Sequence, residues 1–437
     1  MLKVGTIGKD GRTSAITESL SQSPRVGEVC SLSDWKLRPS AKAMEAALAA
    51  AARERPDFVV VGPEQPLAEA GGVVDRLAEI GIPCVGPTQS LARLESSKSF
   101  TRNLLAEYGI PGNPVYKAFH AMAGIEAHLR QMNGYVVKPD GLTGGKGVKL
   151  SGAHLGSIDE ALRYCEELFR QRPHEPVLIE EKLDGEEFSL MSFSDGEHVK
   201  DMVVVQDHKR LGEGDTGPNT GGMGSYSCED HCLPFLSPEH VRQASRINER
   251  VAAALRAKTG QPYKGILYGG FMLTAGGLRL LEYNARLGDP ETLNVLPILK
   301  TDFAEICEAI IHGRLDRVPI VFENLATVCK YVVPAGYPDQ PLKNVSFALD
   351  DIPKSSDTLK VYRAAVDVLD HRLYFTGSRA IAFVGIGKGL AEAEAIAESA
   401  ASSLDGPVVH RRDIGSHQLI QRRVEHARRL SPGDTPQ

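Results

Sequence analysis

No run of 18 apolar residues occurs anywhere in the 437 positions, so no segment is long enough to cross a bilayer as a helix. The opening, "MLKVGTIGKDGR", enters a strand-like run directly, without an apolar core ahead of a small-residue cleavage site. The chain is therefore expected to be neither exported nor embedded in a membrane. Basic residues are in deficit: 50 Lys and Arg face 56 Asp and Glu, for a net charge of -6. With a pI near 6.1, the electrostatic footprint of a nucleic-acid binder is missing. Cysteine is sparse, and its seven positions (Cys30, Cys84, Cys165, Cys228, Cys232, Cys307 and Cys329) are odd in number and irregularly spaced. That pattern points to reduced thiols in the cytoplasm rather than a disulfide framework. "CEDHC", with Cys228, His231 and Cys232, has ligand-like spacing but no second pair, so it reads as a loop and not as a zinc site.

Familiar catalytic signatures are missing as well. There is no G-x-S-x-G, no H-E-x-x-H, no kinase "HRD" or "DFG", and "HRRDIG" at 410–415 has the wrong spacing. The stretch "VVKPDGLTGGKGVKL", from Val136 to Leu150, holds four glycines between Gly141 and Gly147. It fails as a Walker A loop, because Asp140 stands where the first glycine belongs and Gly147 follows Lys146. It fails as a dinucleotide fingerprint because Leu150 stands at the third glycine. What it retains is flexible backbone that can approach an anion closely, with Lys138, Lys146 and Lys149 adding positive charge.

Against these absences stand the 42% apolar and 24% charged residues of a globular protein, and a length that suggests about three domains. The first hundred residues alternate "LKVGTI", a helix near Thr13 to Ser21, an Ala-rich helix from Ala41 to Glu54, "DFVVV", a helical stretch to Ile80 and "IPCVGP". That alternation predicts a parallel α/β domain with ligand loops at the carboxyl ends of its strands, here "GKDGR" and "GPEQP". A helical stretch from Leu91 to Tyr108 follows. Next comes a compact module: a helix over 121–131, the strand "YVVK", the glycine loop, "VKL", a helix over 157–170 and the strand "PVLIEEKL". Its glycine tip suggests a lid. Longer strands ("EEFSLMSFSD", "VKDMVVVQDHK"), a Gly/Thr loop, a helix over 237–258 and a hairpin lead to a C-terminal part with a helix at Ala391 to Ser402. The last helix, "LIQRRVEHARRL", reads as a solvated basic face, and "SPGDTPQ" as a disordered tail. The fold class is α/β, with α+β parts. Domains are expected at 1–100, 101–325 (lid about 112–184) and 326–437.

The hairpin "ILYGGFMLTAGGLRLLEYNARLGDPET" turns at "TAGG", so period two places Leu278, Leu280, Glu282, Asn284 and Arg286 on one face. Glu282 and Asn284 are hard oxygen donors of the kind that, with substrate phosphates, hold Mg²⁺, and Arg286 would face the same phosphates. "DTGPNTGGMGSY", from Asp215 to Tyr226, suits a small zwitterion or phosphate held by backbone N–H groups. Lys98 is a further isolated cation; Glu180, Glu181 and Glu187 can accept from a nucleotide's amine or ribose hydroxyls. A site of this kind, without a nucleophile, suits phosphoryl transfer.

The motifs "VGPEQPL", "LESSKSF", "KPDGLTGGKGV", "IEEKLDGEEFS", "QDHKR", "DTGPNTGGMGSY" and "EYNARLGDPET", together with "HRRDIG", resemble those of the ATP-grasp ligases, and within them the phosphoribosylamine-glycine ligase family. The resemblance implies an ATP-grasp architecture: a parallel N-terminal domain, a central ATP-grasp domain with a small lid, and an α+β C-terminal domain. It implies that ATP phosphorylates glycine and that 5-phosphoribosylamine attacks the glycyl phosphate, in the second step of de novo purine biosynthesis. By matching motif, Glu282 and Asn284 would hold Mg²⁺ (or Mn²⁺), and Lys98, Lys138, Gly144, Gly145, Lys146 and Gly147 would take ATP phosphates. Glu180, Glu181, Lys182, Leu183 and Glu187 would take the adenosine part, with Arg286 and Lys146 catalytic. Gly8, Gly11, Arg12, Glu64, Asp207, the run Asp215, Thr216, Gly217, Pro218, Asn219, Thr220, Gly221, Gly222, Met223 and Gly224, and then Gly288 and Asp289, would line the glycine and phosphoribosylamine side. A cytoplasmic monomer acting on small molecules is expected.

The family usually begins G-x-G-G-R-E-H-A after its first strand. This chain keeps Gly8, Gly11 and Arg12 but places Lys9, Asp10, Thr13 and Ser14 around them, a departure on the amine side. Two alternatives follow: an ATP-grasp ligase or carboxylase for another amine, and a non-catalytic nucleotide-binding paralogue. Magnesium-dependent ATP turnover separates the last from the ligases.

Overall fold

In the computed structural model of the chain, residues 1–35, 41–69, 71–144 and 147–430 are described. Gly145, Lys146 and the terminal "SPGDTPQ" lie outside them. No described helix is long and apolar enough to cross a membrane.

The amino-terminal alternation folds as a parallel sheet in the order Val26–Ser33, Leu2–Ile7, Phe58–Val61, Cys84–Val85. The chain steps to one side of the Leu2–Ile7 strand and then crosses to the other, so the loops after Ile7 and Val61 flank a topological switch point. The helix after Ile7 starts at Gly11, earlier than expected, because the Asp10 carboxylate accepts from the backbone N–H of Thr13 at 2.8 Å and caps it.

Two short helices, Gln89–Ser96 and Lys98–Glu107, lead into a small antiparallel sheet ordered Tyr116–Phe119, Val177–Glu181, Tyr135–Pro139, Lys149–Leu150. The expected 121–131 helix is a five-residue turn, Ile125–Leu129, and it packs with Ile158–Gln171 over Phe119, Val137 and Ile179. The central sheet is ordered Val199–Asp201, Gly185–Asp195, Lys264–Thr274, Gly277–Asn284, all antiparallel. On one face Phe188, Leu190, Phe271 and Leu280 pack beneath the helix Pro238–Thr259 through Ile247, Val251 and Leu255.

"VKDMVVVQDHK" is not one strand. Regular pairing with Gly185–Asp195 ends at Asp201, a bridge between Val205 and Ser189 follows, and Gln206–Asp207 then joins a different sheet, running Gln206–Asp207, Gly224–Ser227, Ala326–Pro334, Ile381–Gly387, Leu359–Arg363. Met202, Val203, Val204 and Val205 are all buried at this crossing, which is why the run reads as continuous apolar strand. The Gly224–Ser227 strand thus belongs to the C-terminal sheet, across the boundary expected near residue 325.

The expectation that five alternate residues share a face fails at one point. Leu280 pairs with Phe271 but Glu282 pairs with Gly270, so Leu281 is an extra residue, a β-bulge. Leu278, Leu280 and Tyr283 point into the core, whereas Glu282 and Asn284 lie on the opposite face with Gly270 and Tyr268.

Candidate active site

The cleft face of the central sheet carries Glu187, Ser189 and Met191 on one strand, paired with Met272, Gly270 and Tyr268 on the next, then Glu282 and Asn284. The Glu282 side chain is 42% exposed there. Burial within the cleft opposes its charge, but Lys209, Lys138, Lys98 and Arg286 outweigh that and hold its carboxyl below the usual range. Lys209 stands at the centre of a negative cluster, 3.4 Å from Glu187, 4.0 Å from Asp207 and 4.0 Å from Glu282. Asp207 is pushed up to about 7 by burial, Lys209 opposing and Glu291, Glu187 and Glu282 adding to the rise. Negative charge is in excess around one lysine, and that excess, with two side-chain oxygens on one strand face, fits a divalent cation.

Three cationic elements border this face. Lys98 opens the helix Lys98–Glu107, and its ammonium donates to the carbonyls of Asp140 (3.3 Å) and Gly141 (3.0 Å). Burial lowers its pKa, with Glu282 opposing. The same helix start is capped by Asp140, which accepts from Ser97 Oγ at 2.8 Å and Ser99 N at 2.6 Å, so the root of the glycine loop is fastened to it. Lys138 lies 2.7 Å from Glu180 and donates to the bulge carbonyl of Leu281 at 3.4 Å. Of the loop itself, Gly144 and Gly147 have positive φ of 57° and 99°, Tyr164 Oη donates to the Gly147 carbonyl at 2.6 Å, and Lys149 lies 3.7 Å from the Tyr164 ring centroid. The expectations for Gly145 and Lys146 fall outside the described residues.

Glu180 corrects an expectation. Both its oxygens are bound by Arg102 (2.7 and 3.0 Å), with Lys138 on one of them, and its side chain is 3% exposed. It is a buried structural anion, not a free acceptor for adenosine. Burial opposes its charge, yet Arg102 and Lys138 hold its carboxyl down at about 2. Glu181 accepts from the Val115 N–H and Lys182 donates to the Ser151 carbonyl, which leaves half-buried Leu183 and Glu187 at the junction between the small and central sheets.

Arg286 is gripped by Glu64 at 3.4 Å and Glu95 at 3.2 Å, and donates to Asn284 Oδ1 at 3.2 Å. Glu95 also accepts from the Ala285 N–H at 2.8 Å; burial pushes its carboxyl up to about 7, with Arg286 opposing. Arg12 bridges from the amino-terminal domain, bonding Asp10 at 2.8 Å, the Leu287 carbonyl at 2.9 Å and Glu64 at 3.5 Å. Gly8 has φ of 130°. Gly11 is pressed against Tyr331, whose hydroxyl donates to Asp289 at 2.7 Å; a Cβ on Gly11 would fall 1.9 Å from that oxygen. Asp289 Oδ2 is buried without a hydrogen-bond donor, although Arg379 lies 3.4 Å away in an ion pair outside hydrogen-bond geometry. Gly288 packs closely on Tyr268 and Glu291.

The Gly/Thr loop divides. Thr216–Asn219 pairs with Arg210–Gly212 as a hairpin on which Thr216, Gly217 and Pro218 are exposed and Asn219 half-buried. Asp215 at its turn is bound by Arg411 (2.9 Å) and Arg423, so its carboxylate is committed to the C-terminal region rather than to a small ligand. Thr220 Oγ1 donates to the Lys209 carbonyl at 2.9 Å, which brings Thr220, Gly221 and Gly222 to the negative cluster. Met223 is fully buried, and Gly224 lies so close to the Cys329 carbonyl (a Cβ there would fall 2.1 Å from its oxygen) that both support the loop from beneath. Arg423 also pairs with Glu186 at 3.3 Å, so the last helix is no plain solvated face. Sequence reasoning missed Glu95, Arg102, Lys209, Tyr331 and Arg379; "LESSKSF" and "QDHKR" held local signals for Glu95 and Lys209.

A small antiparallel sheet beside a larger one, with lysines and a carboxylate-amide pair between them, defines an ATP-grasp enzyme. The same fold is seen in biotin carboxylase from Campylobacter jejuni, at 13% identity and a TM-score of 0.71 over 98% of this chain and 99% of that one. Within that class, the phosphoribosylglycinamide synthetase family matches as N domain over residues 2–95, ATP-grasp (A) domain over 96–292 and C domain over 327–417. The chain belongs to the phosphoribosylglycinamide synthetase family. It is 44% identical to phosphoribosylamine–glycine ligase of Methanocaldococcus jannaschii over 98% of this chain and 100% of that protein. The counterpart from Methanocella arvoryzae is 43% identical over 97% of this chain and 99% of its own length. The crystal structure of phosphoribosylamine–glycine ligase from Thermotoga maritima superposes with a TM-score of 0.77 at 27% identity, covering 94% of this chain and all (100%) of that one.

Proposed function

We propose that the cleft ligates glycine to 5-phosphoribosylamine at the expense of ATP. A glycine carboxylate oxygen attacks the terminal phosphorus of ATP and ADP leaves; the amine nitrogen then attacks the acyl carbon, releasing phosphate and a proton. Glycinamide ribonucleotide results. The observation that carries this reading is the bulged strand, which turns Glu282 and Asn284 toward Lys98, Lys138 and Lys209 and sets Arg286 beside them. Such a site neutralises and aligns phosphates and needs no enzyme nucleophile.

In this reading Glu282 and Asn284 hold Mg²⁺ (or Mn²⁺), which when bound neutralises phosphate charge. Lys98 supplies the cation least committed to protein carboxylates, Lys138 a second, and Lys146 a third from the loop tip. Glu181, Lys182, Leu183 and Glu187 take the adenosine part. Arg286, fixed by Glu64 and Glu95, faces the transferring phosphoryl group. Thr220, Gly221, Gly222, Gly288 and Asp289 line the glycine side, where the unmatched Asp289 Oδ2 suits an incoming ammonium. Gly8, Gly11 and Arg12 border the amine. The lid closes over ATP phosphates and keeps water from the acyl phosphate. The enzyme acts as a cytoplasmic monomer; its seven cysteines are all unpaired.

One observation favours a second reading, a ligase for a different amine: the Asp10 carboxylate occupies the helix N-terminus where the family pattern has glycine. The test is mass spectrometry of the protein with ATP, Mg²⁺, glycine and freshly generated 5-phosphoribosylamine, beside a control without glycine. Glycinamide ribonucleotide with matching ADP is expected. ATP binding without that product would overturn the purine assignment and leave the ATP half standing.

A further inference from the structure

Arg379 lies outside the cleft face, in the turn after the strand Arg372–Phe375 of the C-terminal domain, and its side chain is 16% exposed. Nη1 donates to the carbonyls of Gly221 (2.7 Å), Gly222 (3.3 Å) and Asp289 (2.7 Å), and Nη2 lies 3.4 Å from Asp289 Oδ2. The guanidinium also lies over the ring of Tyr331, 4.8 Å from its centroid, and Tyr331 holds the other oxygen of Asp289. One planar donor group therefore joins the Gly/Thr loop to the "GDPE" turn. The fit depends on close approach: a Cβ on Gly221 would come 3.1 Å from the guanidinium carbon. The far end of the loop is held from the same region, since Arg411 binds Asp215 at 2.9 Å.

We propose that Arg379 is a positioning residue that sets the spacing between the Gly221–Gly222 backbone and the Asp289 carboxylate, and so the fit of the substrates of the ligation step. This rests on the reading that the Gly/Thr loop and Asp289 line the glycine and amine side. Its donors are committed to the carbonyls of Gly221, Gly222 and Asp289, so it acts through those groups. Among the described residues no hydrogen bond or ion pair ties it to Lys98, Lys138 or Glu282, so the KM for ATP is expected to be independent of it. The C-terminal domain is then part of the specificity apparatus, not only a cover.

The experiment is steady-state kinetics of full-length Arg379→Ala and Arg379→Lys with ATP, Mg²⁺, glycine and 5-phosphoribosylamine, each varied in turn. Removing one guanidinium that serves three carbonyls and a carboxylate is expected to raise KM for glycine or the amine at least about tenfold, with KM for ATP changed less than about twofold. Lysine keeps the charge without the planar fork and recovers only part of the loss. A rise shared equally by all three substrates, or none in any, overturns the proposal. If the alanine variant does not fold, Arg379→Lys is read by the same split. Wild-type protein that makes no glycinamide ribonucleotide sinks the functional reading itself, whereas active wild type with unaltered Arg379 variants sinks only this inference.

Discussion

Glu180 offers the sharpest quantitative test. Glu180→Gln keeps the side-chain volume but leaves Arg102 (3% exposed) and Lys138 (12% exposed) without their shared carboxylate. Arg102 then retains the carbonyls of Leu280 (2.9 Å) and Leu281 (2.7 Å), and Lys138 only that of Leu281. Stranding buried charge in this way costs about 3–5 kcal/mol. The depression of the Glu180 carboxyl from 4.5 to about 2 corresponds by linkage to about 3 kcal/mol at neutral pH, which agrees. Arg102 belongs to the helix Lys98–Glu107, Glu180 to the small sheet and the carbonyls to the central hairpin, so the loss falls on the seam between the small and central sheets. Hydrogen exchange at neutral pH should show amides of Val177–Glu181 and Tyr135–Pro139 exchanging about a hundredfold faster, with Lys264–Thr274 unaffected. Because the folded pKa is depressed, this stabilisation is full above 4.5 and fades as pH falls through about 2, where variant and wild type should converge. Small-sheet amides within about threefold of wild type at neutral pH would refute the reasoning.

Glu282→Gln should lower metal-dependent ATP turnover at least about a hundredfold with little change in thermal midpoint, since the side chain is 42% exposed; turnover within about threefold of wild type across a metal titration removes its role. Gly11→Ala puts a Cβ 1.9 Å from the Tyr331 hydroxyl. It should displace Tyr331 from Asp289 and raise KM for glycine or the amine but not ATP, and a crystal structure of the variant with that bond intact would count against this. His208 is 1% exposed with neither ring nitrogen bonded, and burial, then Arg411 and Arg423, hold it down at about 3. The unfolded chain therefore takes up a proton below the ordinary histidine pKa of 6.5 that the folded chain refuses, and stability falls from there toward about 3. At pH 4.5 the penalty is roughly 3 kcal/mol, so thermal midpoints of His208→Phe should drop less than wild type between pH 7 and 4.5; parallel curves would contradict it.

Where the sequence carried its meaning locally, the structure was legible in advance. The parallel sheet follows from apolar runs alternating with amphipathic ones, and Glu282, Asn284 and Arg286 come together because they are two residues apart. Long-range electrostatics were not legible. Nothing near Arg379 announces Gly221 and Asp289, and nothing in "LIQRRVEHARRL" distinguishes Arg423, bound to Asp215 and Glu186, from the half-exposed Arg422 beside it. Glu180 was misread for the same reason: its partner Arg102 lies 78 residues away. The split of "VKDMVVVQDHK" between two sheets escaped because an apolar crossing buried on all sides has the same composition as a strand.

Leu281 shows how a strand can be constrained in length while remaining free in spelling. As the extra residue of the bulge, it places its carbonyl within reach of Arg102 at 2.7 Å and Lys138 at 3.4 Å, while its half-buried side chain is not part of the core under the long helix. A scan of substitutions should score this position as tolerant. A scan of single-residue deletions should score it among the most damaging, because a regular ladder keeps Glu282 facing the cleft yet withdraws the oxygen on which two cations of the adjoining elements are seated.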